Sequence, residues 1–368
     1  MAFDLLGFLS MLEKKQLVII LKNPGTSCNI GCIYCAEERK CYSSLEHVIT
    51  EVQLERISKL TKDYSLNVLF HGGEPTLLSC GYYSKAMDIF QKENNNVYFG
   101  IQTNAVYLNN DWIDFFIKNK YRLGISVSSD GHREINQYRL TKNKKETYDM
   151  VFDNIKLLEK NELKTGMICT IVSSSIGKEF ELFKMLTEFN NLQFVKLNPC
   201  LDRNSDKSIP NWAITPTQYF EFVVNFFDIL MKYSAWNKFY VEPIISILKN
   251  IQGIDSFFCN YSNKKCTNFI SVYPNGTITT CDNFDLHNGY IGDLNSINDI
   301  SEISDMQKNK NLLTTYNNLL CTCSECDYRK ICHGGCIAIR KRYADTNEYC
   351  NGMKNMINHI LKVYNNVK

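Results

Sequence analysis

The chain has 368 residues, of which 44% are hydrophobic and 22% are charged, and its formal net charge at pH 7 is +2. This length allows one large domain and a smaller one. The nearly balanced charge gives no electrostatic reason to expect a nucleic-acid partner. The sequence contains no run of about 18 apolar residues, so it predicts no membrane helix.

The first predicted element is a short amphipathic helix over residues 1–15. Its apolar residues are interrupted by Asp4, and charged residues close it at Glu13, Lys14 and Lys15. A secretory signal would begin with positive charge and end with a cleavage site, so we expect a cytoplasmic protein. The chain also has 16 cysteines, many of them in closely spaced groups. In a reducing compartment this pattern favours metal ligation over disulfides.

Apolar runs and helical periodicity alternate through the first two hundred residues. The predicted strands cover residues 17–21, 67–70, 97–102, 122–127, 165–172 and 193–197. The predicted helices cover residues 53–64, 82–92, 110–118, 147–160 and 180–189. Strands that alternate with helices predict βαβ units and a parallel sheet. Six such units predict an α/β fold, a partial (β/α)6 barrel of the TIM-like kind.

The pattern changes near residue 200. Residues 201–212 are polar and contain Pro210, which predicts a loop, and an aromatic-rich helix follows at about 217–233. The remaining chain is loop-rich and holds nine of the 16 cysteines. We therefore predict a barrel domain over 1–225 and a cysteine-rich domain over 226–368.

The first cysteine group is Cys28, Cys32 and Cys35, spaced C-x3-C-x2-C after the first predicted strand. Three thiolates on one short loop can hold three irons of a cubane cluster and leave the fourth iron open. A zinc loop or a chance spacing is the alternative for these three residues alone. With Tyr34 before the last cysteine, the group resembles the motif of the radical S-adenosylmethionine (radical SAM) superfamily, which implies a catalytic 4Fe–4S cluster.

Four later segments, each at or after the end of a predicted strand, also resemble motifs of this superfamily. The resemblance implies a set of residues that bind S-adenosylmethionine: Gly72, Gly73, Glu74, Pro75, Gln102, Asn104, Ser128 and Arg139. The glycines would let the backbone approach the methionine part of the cofactor, and Arg139 would pair with its carboxylate. An ordinary turn at residues 72–75 and a surface arginine at 139 are the plainer alternatives.

The C-terminal cysteines begin with C-x9-G-x4-C and continue with C-x2-C-x5-C-x3-C and a last cysteine. This order resembles the SPASM domain, a C-terminal extension of radical SAM enzymes that act on peptides. The resemblance implies two auxiliary 4Fe–4S clusters. One would be held by Cys266, Cys281 and Cys336, with Cys259 as the candidate fourth ligand, and the other by Cys323, Cys326, Cys332 and Cys350. Two zinc sites suit the same ligand types.

Five cysteines remain outside these three groups. Cys80 and Cys169 lie in apolar contexts that predict packing roles. Cys200 follows the sixth predicted strand, so contact with the substrate is one hypothesis for this residue. Cys321 competes with Cys323 as a ligand, although the spacing favours Cys323. Cys41 has no assigned role.

Asp282 directly follows Cys281. The pair resembles the anaerobic sulfatase-maturating enzymes, which implies that Asp282 is a general base for the substrate oxygen or sulfur. A solvated loop aspartate or a helix cap is the alternative. The resemblance extends over residues 102–131, but His71 stands where that group often has glutamine, and Ala36 stands where an aromatic is common.

The resemblance implies a peptide- or protein-modifying enzyme with S-adenosylmethionine and three 4Fe–4S clusters. Reductive cleavage of the cofactor would give a 5′-deoxyadenosyl radical that leads to a crosslink or an oxidation in ribosomal-peptide maturation. We expect an external electron donor such as flavodoxin or ferredoxin. The alternatives are an anaerobic sulfatase maturase that makes formylglycine, an enzyme that acts on a small molecule, and a zinc-binding cysteine-rich interaction protein.

Overall fold

The computed structural model describes residues 15–37, 48–256, 258–263, 266, 268–284, 286–302, 317–318, 321, 323–343 and 346–367. The helix predicted at residues 1–15, apart from its last residue, and Cys41 lie outside these ranges.

Twelve strands are assigned within the described residues. They are β1 (Gln16–Lys22), β2 (Ile30–Cys32), β3 (Ser65–His71), β4 (Val97–Thr103), β5 (Leu123–Ser128), β6 (Arg139–Thr141), β7 (Thr165–Ile171), β8 (Leu192–Pro199), β9 (Tyr240–Glu242), β10 (Phe269–Val272), β11 (Thr277–Thr279) and β12 (Tyr290–Asp293).

Eleven α-helices accompany these strands in the described part of the chain. They are α1 (Glu51–Leu60), α2 (Cys80–Glu93), α3 (Asn110–Asn119), α4 (Tyr148–Lys160), α5 (Glu179–Thr187), α6 (Pro216–Lys232), α7 (Ile244–Ile251), α8 (Leu286–Gly289), α9 (Arg329–Cys332), α10 (Ile337–Tyr343) and α11 (Thr346–Val367).

The central part of the sheet is parallel and runs in the order β1-β3-β4-β5-β7-β8. Helices α1 to α5 lie between consecutive strands of this series along the chain. The six predicted strands and the partial TIM-like barrel are therefore confirmed. Alternate residues are buried along a strand such as β7, whose burial alternates between buried and half-buried positions at every residue. That alternation directs one face toward the helices and leaves the other face for a site.

Helix boundaries in the barrel follow ordinary capping chemistry. The hydroxyl of Thr50 accepts from the backbone N–H of Gln53, and the Gln53 side chain accepts from the N–H of Thr50, so α1 begins with a capping box. Helix α6 begins in the same way at Thr215 and Gln218, with Pro216 in its first turn. These local signals explain why the predicted helices agree with the observed ones to within a few residues.

The C-terminal region extends the same sheet on both sides. Strand β10 pairs in parallel with β1, for example Val18 opposite Phe269, and β11 and β12 continue antiparallel from it. On the other side β9 pairs in parallel with β8. The sequence analysis did not predict these four short strands. The boundary at residues 225 and 226 stays a prediction, since the sheet contains strands from both sides of it.

Helix α11 closes the core from the C-terminal end. Its buried residues Met353, Met356 and Ile357 belong to the same apolar cluster as Phe220 of α6. Across the described residues, no helix combines the length and the apolar character that spanning a membrane requires.

Candidate active site

A cavity of about 440 Å³ opens at the carboxyl ends of the parallel strands. Its walls come from the loop after β1, from strand ends and from the C-terminal region. The lining includes Cys28, Cys32, Cys35, His71, Gln102, Asn104, Ser128, Arg139, Lys196, Cys200, Cys259, Cys281 and Asp282. Residues from the whole length of the chain thus meet at the sheet edge where barrel enzymes carry their chemistry.

The three cysteines of the first group lie together on this cavity. Cys32 belongs to β2, which pairs with β6 so that Cys32 faces Arg139 in register. Burial raises the pKa of the Cys32 thiol to about 12, and the charge of Arg139 opposes that rise. Burial also raises the pKa of Cys28. Buried thiols beside a guanidinium suit a metal site, because a bound cation and Arg139 would both favour the thiolate form.

The glycine pair after β3 packs against the backbone of the cysteine loop. Gly72 has φ +146°, and a Cβ on it would lie 2.9 Å from the Gly25 oxygen. A Cβ on Gly73 would lie 1.9 Å from the Ser27 oxygen. The N–H of Gly73 donates to the Gly25 carbonyl at 2.7 Å. The glycines thus serve the contact between two protein loops, in addition to any approach of a cofactor.

Glu74 is a buried acceptor rather than a cavity residue. Its Oε1 accepts from the N–H and hydroxyl of Thr76 and from the hydroxyl of Thr103, and its Oε2 accepts from the N–H of Asn104 at 2.6 Å. Burial raises the pKa of this carboxyl group, and these hydrogen bonds oppose that rise. Glu74 and Pro75 lie outside the lining of the cavity among the described residues. Their contact with the cofactor stays a prediction.

Arg139 is a buried cation on the cavity wall. Its Nη1 donates to the Tyr34 hydroxyl at 3.2 Å and lies 4.0 Å from Asp130 Oδ1, while the Tyr34 hydroxyl donates to Asp130. Its Nε has no hydrogen-bond partner among the residues that the structure describes. A buried N–H without an acceptor is costly. The residue therefore fits the predicted partner of a cofactor carboxylate.

Asn104, Gln102 and Ser128 complete this wall. Asn104 Nδ2 donates to Asn29 Oδ1 at 2.7 Å and lies 3.6 Å from the Sγ of Cys28. Gln102 Nε2 lies 3.5 Å from the hydroxyl of Ser128. These polar groups belong to neighbouring strand ends and lie on the same cavity as the three thiols, as the sequence predicts.

Asp282 lies across the cavity in a group of four charged or polar side chains. The ammonium of Lys22, which is fully buried, donates to Glu37 Oε1 at 2.7 Å, to His71 Nδ1 at 2.9 Å and to Asp282 Oδ1. An ammonium can only donate, so Nδ1 of His71 is the acceptor and the neutral imidazole carries its proton on Nε2. His71 Nδ1 also lies 3.6 Å from Asp282 Oδ2.

Sequence reasoning missed Lys22 and Glu37. One signal was available for Lys22, since a lysine at the inner end of an otherwise apolar strand must find acceptors when it is buried. One of these acceptors, the carboxylate of Asp282, is distant in sequence from Lys22. The structure also shows that Asp282 is not freely solvated, because Lys22 holds one of its carboxylate oxygens.

The first C-terminal cysteine group comes together next to the cavity. Burial raises the pKa of Cys281, and the neighbouring thiols of Cys266, Cys336 and Cys259 raise it further. Cys266 and Cys281 pack with Cys336 and Phe284 in one small apolar cluster. Cys259 lies in a 3₁₀ turn, Cys259–Tyr261, and lines the cavity together with Cys281. The candidate fourth ligand is therefore near the other three.

The second C-terminal cysteine group surrounds a buried arginine. Burial raises the pKa of Cys350, and the thiols of Cys323 and Cys326 raise it further. Arg340 contacts the Sγ atoms of Cys323 and Cys350. One turn of helix, α9, leads from the segment after Cys326 to Cys332.

The structure also gives the burial of three cysteines outside these groups, Cys321, Cys169 and Cys200. Cys321 is exposed whereas Cys323 is buried, which agrees with the preference for Cys323 as a ligand. Cys169 is fully buried in β7. Cys200 is buried on the cavity wall, near Tyr34 and Val172.

A partial parallel barrel whose carboxyl edge presents three clustered thiols and a buried arginine to one cavity has the architecture of a cofactor-dependent barrel enzyme. Residues 22–178 match the model of the Radical SAM superfamily. This part of the chain is therefore a radical SAM domain, and such a domain implies S-adenosylmethionine and a 4Fe–4S cluster. The match over residues 22–178 favours this enzyme class over the alternative of a zinc-binding interaction protein.

Curated relatives match most of the chain. A cysteine-type anaerobic sulfatase-maturating enzyme of Clostridium novyi is 28% identical over 340 residues, which cover 88% of each chain. A serine-type anaerobic sulfatase-maturating enzyme of Bacteroides thetaiotaomicron is 26% identical over 377 residues, which cover 94% of this chain and 90% of the relative.

Solved structures share the fold. Native anSMEcpe with bound AdoMet superposes with a TM-score of 0.80 at 24% identity and covers 96% of this chain and 100% of its own. Streptococcus suis SuiB bound to S-adenosylmethionine superposes with a TM-score of 0.61 at 17% identity and covers 88% of this chain and 74% of its own. These likenesses support the partial barrel and its C-terminal extension as one fold.

Proposed function

We propose that this radical SAM enzyme oxidises a cysteine or serine side chain of a peptide or protein to an aldehyde, as an anaerobic sulfatase maturase that makes formylglycine would. The observation that carries the proposal is the position of Asp282, whose carboxylate lies on the same cavity as the three thiols of the first group. The names of the curated relatives support the same substrate class.

A crosslink or an oxidation in ribosomal-peptide maturation is the second candidate. It is favoured by the likeness to SuiB bound to the precursor peptide SuiA, with a TM-score of 0.59 at 16% identity. Because this identity supports the fold alone, we rank the sulfatase-maturase alternative first. Both candidates share the peptide or protein substrate and the abstraction of hydrogen.

The cofactors supply the radical chemistry. Cys28, Cys32 and Cys35 would hold a 4Fe–4S cluster with S-adenosylmethionine, which would supply radical abstraction of hydrogen from a substrate carbon, and the auxiliary clusters would supply an electron acceptor. Arg139 would hold the cofactor carboxylate, and the rest of the cofactor would be bound by Gly72, Gly73, Gln102, Asn104 and Ser128.

Asp282 accepts the proton of the substrate thiol or hydroxyl. Conversion of an alcohol to an aldehyde removes one hydrogen atom from carbon, one proton from oxygen and one electron, so a base is required beside the carbon that is oxidised. The same removal from a thiol gives a thioaldehyde, which water then converts to the aldehyde with release of hydrogen sulfide. Lys22 and His71 orient the carboxylate, and the ammonium favours its charged form. Glu37 balances part of the charge of Lys22.

Two groups of four cysteines in the C-terminal region are proposed to hold auxiliary 4Fe–4S clusters, as in a SPASM domain. Cys259, Cys266, Cys281 and Cys336 form the first auxiliary site, and Cys323, Cys326, Cys332 and Cys350 form the second auxiliary site. Support comes from the pKa of Cys281, which the other three thiols of its group raise, and from the pKa of Cys350, which the thiols of Cys323 and Cys326 raise. An external donor such as flavodoxin or ferredoxin stays a prediction.

The test uses anaerobically reconstituted protein, a reductant, S-adenosylmethionine and the Cp18Cys peptide that was bound in a solved relative. The serine counterpart of the peptide is run in parallel. We expect cofactor cleavage and a peptide that loses about 18 mass units for cysteine or about 2 for serine. An Asp282→Asn variant should still cleave the cofactor but should form at least about 100-fold less aldehyde, the usual size of a general-base contribution.

Asp255→Asn is the matched control, because Asp255 is exposed and lies outside the cavity. It should behave like the unmodified protein. Full aldehyde formation by the Asp282→Asn variant would remove the assigned base. A crosslinked peptide in place of an aldehyde would favour the second candidate, and a wild-type protein that modifies neither peptide would overturn the proposed reaction.

A further inference from the structure

Arg340 lies buried between the cysteines of the second auxiliary site. The residue is 4% exposed and belongs to α10, where its backbone N–H donates to the carbonyl of Cys336 at 3.0 Å. Its Nη1 lies 3.6 Å from Cys323 Sγ and 2.9 Å from the Gly334 carbonyl, and its Nη2 lies 3.5 Å from Cys350 Sγ. The guanidinium thus spans two of the four proposed ligands with two different nitrogens.

Within the described part of the chain, Arg340 has no carboxylate partner. Among the described residues, none of the ion pairs involves Arg340, and its Nε has no hydrogen-bond partner. A buried guanidinium without a nearby anion is strongly unfavourable. The groups that can provide the negative charge are the thiolates of Cys323 and Cys350, which the geometry already brings into contact with it. If Cys323 and Cys350 ligated a cluster, they would be thiolates, and their negative charge would pair with Arg340.

We propose that Arg340 is a positioning residue that donates N–H···S hydrogen bonds to Cys323 and Cys350 of the second auxiliary cluster and raises the reduction potential of that cluster. The inference rests on the proposed auxiliary clusters. Reduction adds one negative charge to a cluster, and hydrogen bonds and a positive charge at the ligand sulfurs stabilise the more negative state.

The first auxiliary site is built differently. Two of its sulfurs are contacted by neutral groups of Asn283, whose backbone N–H lies 3.4 Å from Cys281 Sγ and whose Nδ2 lies 3.9 Å from Cys336 Sγ. Lys196 adds a positive charge near Cys259 and Cys336, without a hydrogen bond to either in the described structure. Among the contacts described for the two sites, that of a cation with two ligand sulfurs belongs to the second site.

The location of the two sites agrees with this difference. Cys259 and Cys281 of the first auxiliary site line the substrate cavity, whereas none of the four described cysteines of the second site does. The first turn of α10 connects Cys336 of the first site to Arg340 at the second. An electron that leaves the substrate side could thus be held at the second site, where the charge of Arg340 favours reduction.

The experiment compares the reconstituted wild type with Arg340→Gln and Arg340→Lys in redox titrations followed by electron paramagnetic resonance. In Arg340→Gln we expect the ratio of reduced to oxidised second cluster at a fixed potential to fall about tenfold, equivalent to about 59 mV for one electron. The other two clusters should keep their potentials. Arg340→Lys retains the charge but not the two-nitrogen fork of the guanidinium. The potential of its second cluster should therefore lie between those of the wild type and Arg340→Gln.

Arg329→Gln is the matched control, because Arg329 is an exposed arginine in the adjacent helix α9. It should leave all potentials unchanged. Unchanged potentials in both Arg340 variants, with all clusters present, would overturn the inference about Arg340. A wild type with fewer than about 12 irons per chain would instead overturn the proposed set of three clusters.

A spectroscopic measurement on the wild type distinguishes hydrogen bonding by Arg340 to the cluster from a purely structural role. If Arg340 donates to the cluster sulfurs, exchange into D₂O should alter the hyperfine coupling of exchangeable protons at the second cluster. The Arg340→Lys variant should show fewer such protons. If Arg340→Gln fails to retain the cluster, this signal and the potential of Arg340→Lys still decide the question, and the absence of both effects refutes the inference.

Discussion

Glu74 shows how a residue of a recognised motif serves the protein itself. Its carboxylate accepts from Thr76, Thr103 and Asn104 and thereby joins the loop after β3 to the end of β4. Both loops carry residues of the cavity wall. The motif glutamate thus positions the wall on which the cofactor would lie, and a sequence motif alone does not distinguish this role from direct contact.

Glu74→Gln should destabilise the protein. A glutamine replaces one acceptor oxygen with a donor, so it faces the N–H of either Asn104 or Thr76 and leaves a buried donor unpaired. We expect the free energy of unfolding to fall by about 1–3 kcal/mol. The measurement is a denaturant titration, with Glu93→Gln at an exposed helix position as the control, for which we expect a change below about 0.5 kcal/mol. Equal stability of the two variants would contradict this role of Glu74.

At the scale of elements, the cavity depends on the contact between two loops. The loop that follows β3 packs on the cysteine loop so closely that Gly73 has no room for a side chain. In the same loop, the backbone N–H of Glu74 donates to the Ser27 carbonyl at 2.8 Å. The position of Cys28 relative to the sheet therefore follows from this contact.

Gly73→Ala should separate the two loops. A Cβ that would lie 1.9 Å from the Ser27 oxygen requires a shift of backbone rather than of a flexible side chain. We expect the reconstituted variant to lose about four irons and to bind S-adenosylmethionine at least about tenfold more weakly. Gly31→Ala is the control in the same cysteine loop, since its Cβ would meet nothing within 4 Å.

Iron analysis and equilibrium binding measure these effects, and circular dichroism verifies that the variant is folded. The two-loop explanation would be refuted by a folded Gly73→Ala protein that binds iron and cofactor like the wild type. Loss of iron in Gly31→Ala would equally show that the cysteine loop is sensitive to any substitution.

At the scale of the whole molecule, the barrel and the cysteine-rich region share one sheet and one core. Strand β10 pairs with β1, and α11 packs on α6, where a Cβ on Gly352 would lie 2.5 Å from the Phe220 ring. The rings of Phe220 and Tyr349 meet edge to face at 5.2 Å. Neither part can lose these contacts without exposing apolar surface of the other.

We therefore expect both parts to unfold in one cooperative transition. Hydrogen exchange of the reconstituted protein in increasing denaturant should give the same opening free energy for peptides that cover β3, β10 and the buried turns of α11. A surface segment such as residues 203–208 is the internal control and should exchange at low denaturant. Earlier exchange of β10 and α11 than of β3 would mean that the C-terminal region unfolds by itself.

Local patterns in the sequence determined most of the barrel and the composition of its site. Helix α3 was predicted at residues 110–118 and is observed at Asn110–Asn119, because a cap residue and the spacing of apolar residues encode it within ten positions. Cysteine spacing likewise identifies ligands that share one loop. Cys28, Cys32 and Cys35 needed no tertiary information to be grouped.

Only the tertiary structure decided which distant residues meet. The contact of Lys22 with Asp282, the contact of Arg340 with two thiols and the pairing of β1 with β10 join segments that no periodicity relates. Strands of three or four residues carry too few alternating positions to be detected, and a buried ion pair depends on how the intervening chain folds. Spacing along the chain thus determined which reactive side chains are available, while tertiary packing decided which charged residues contact them.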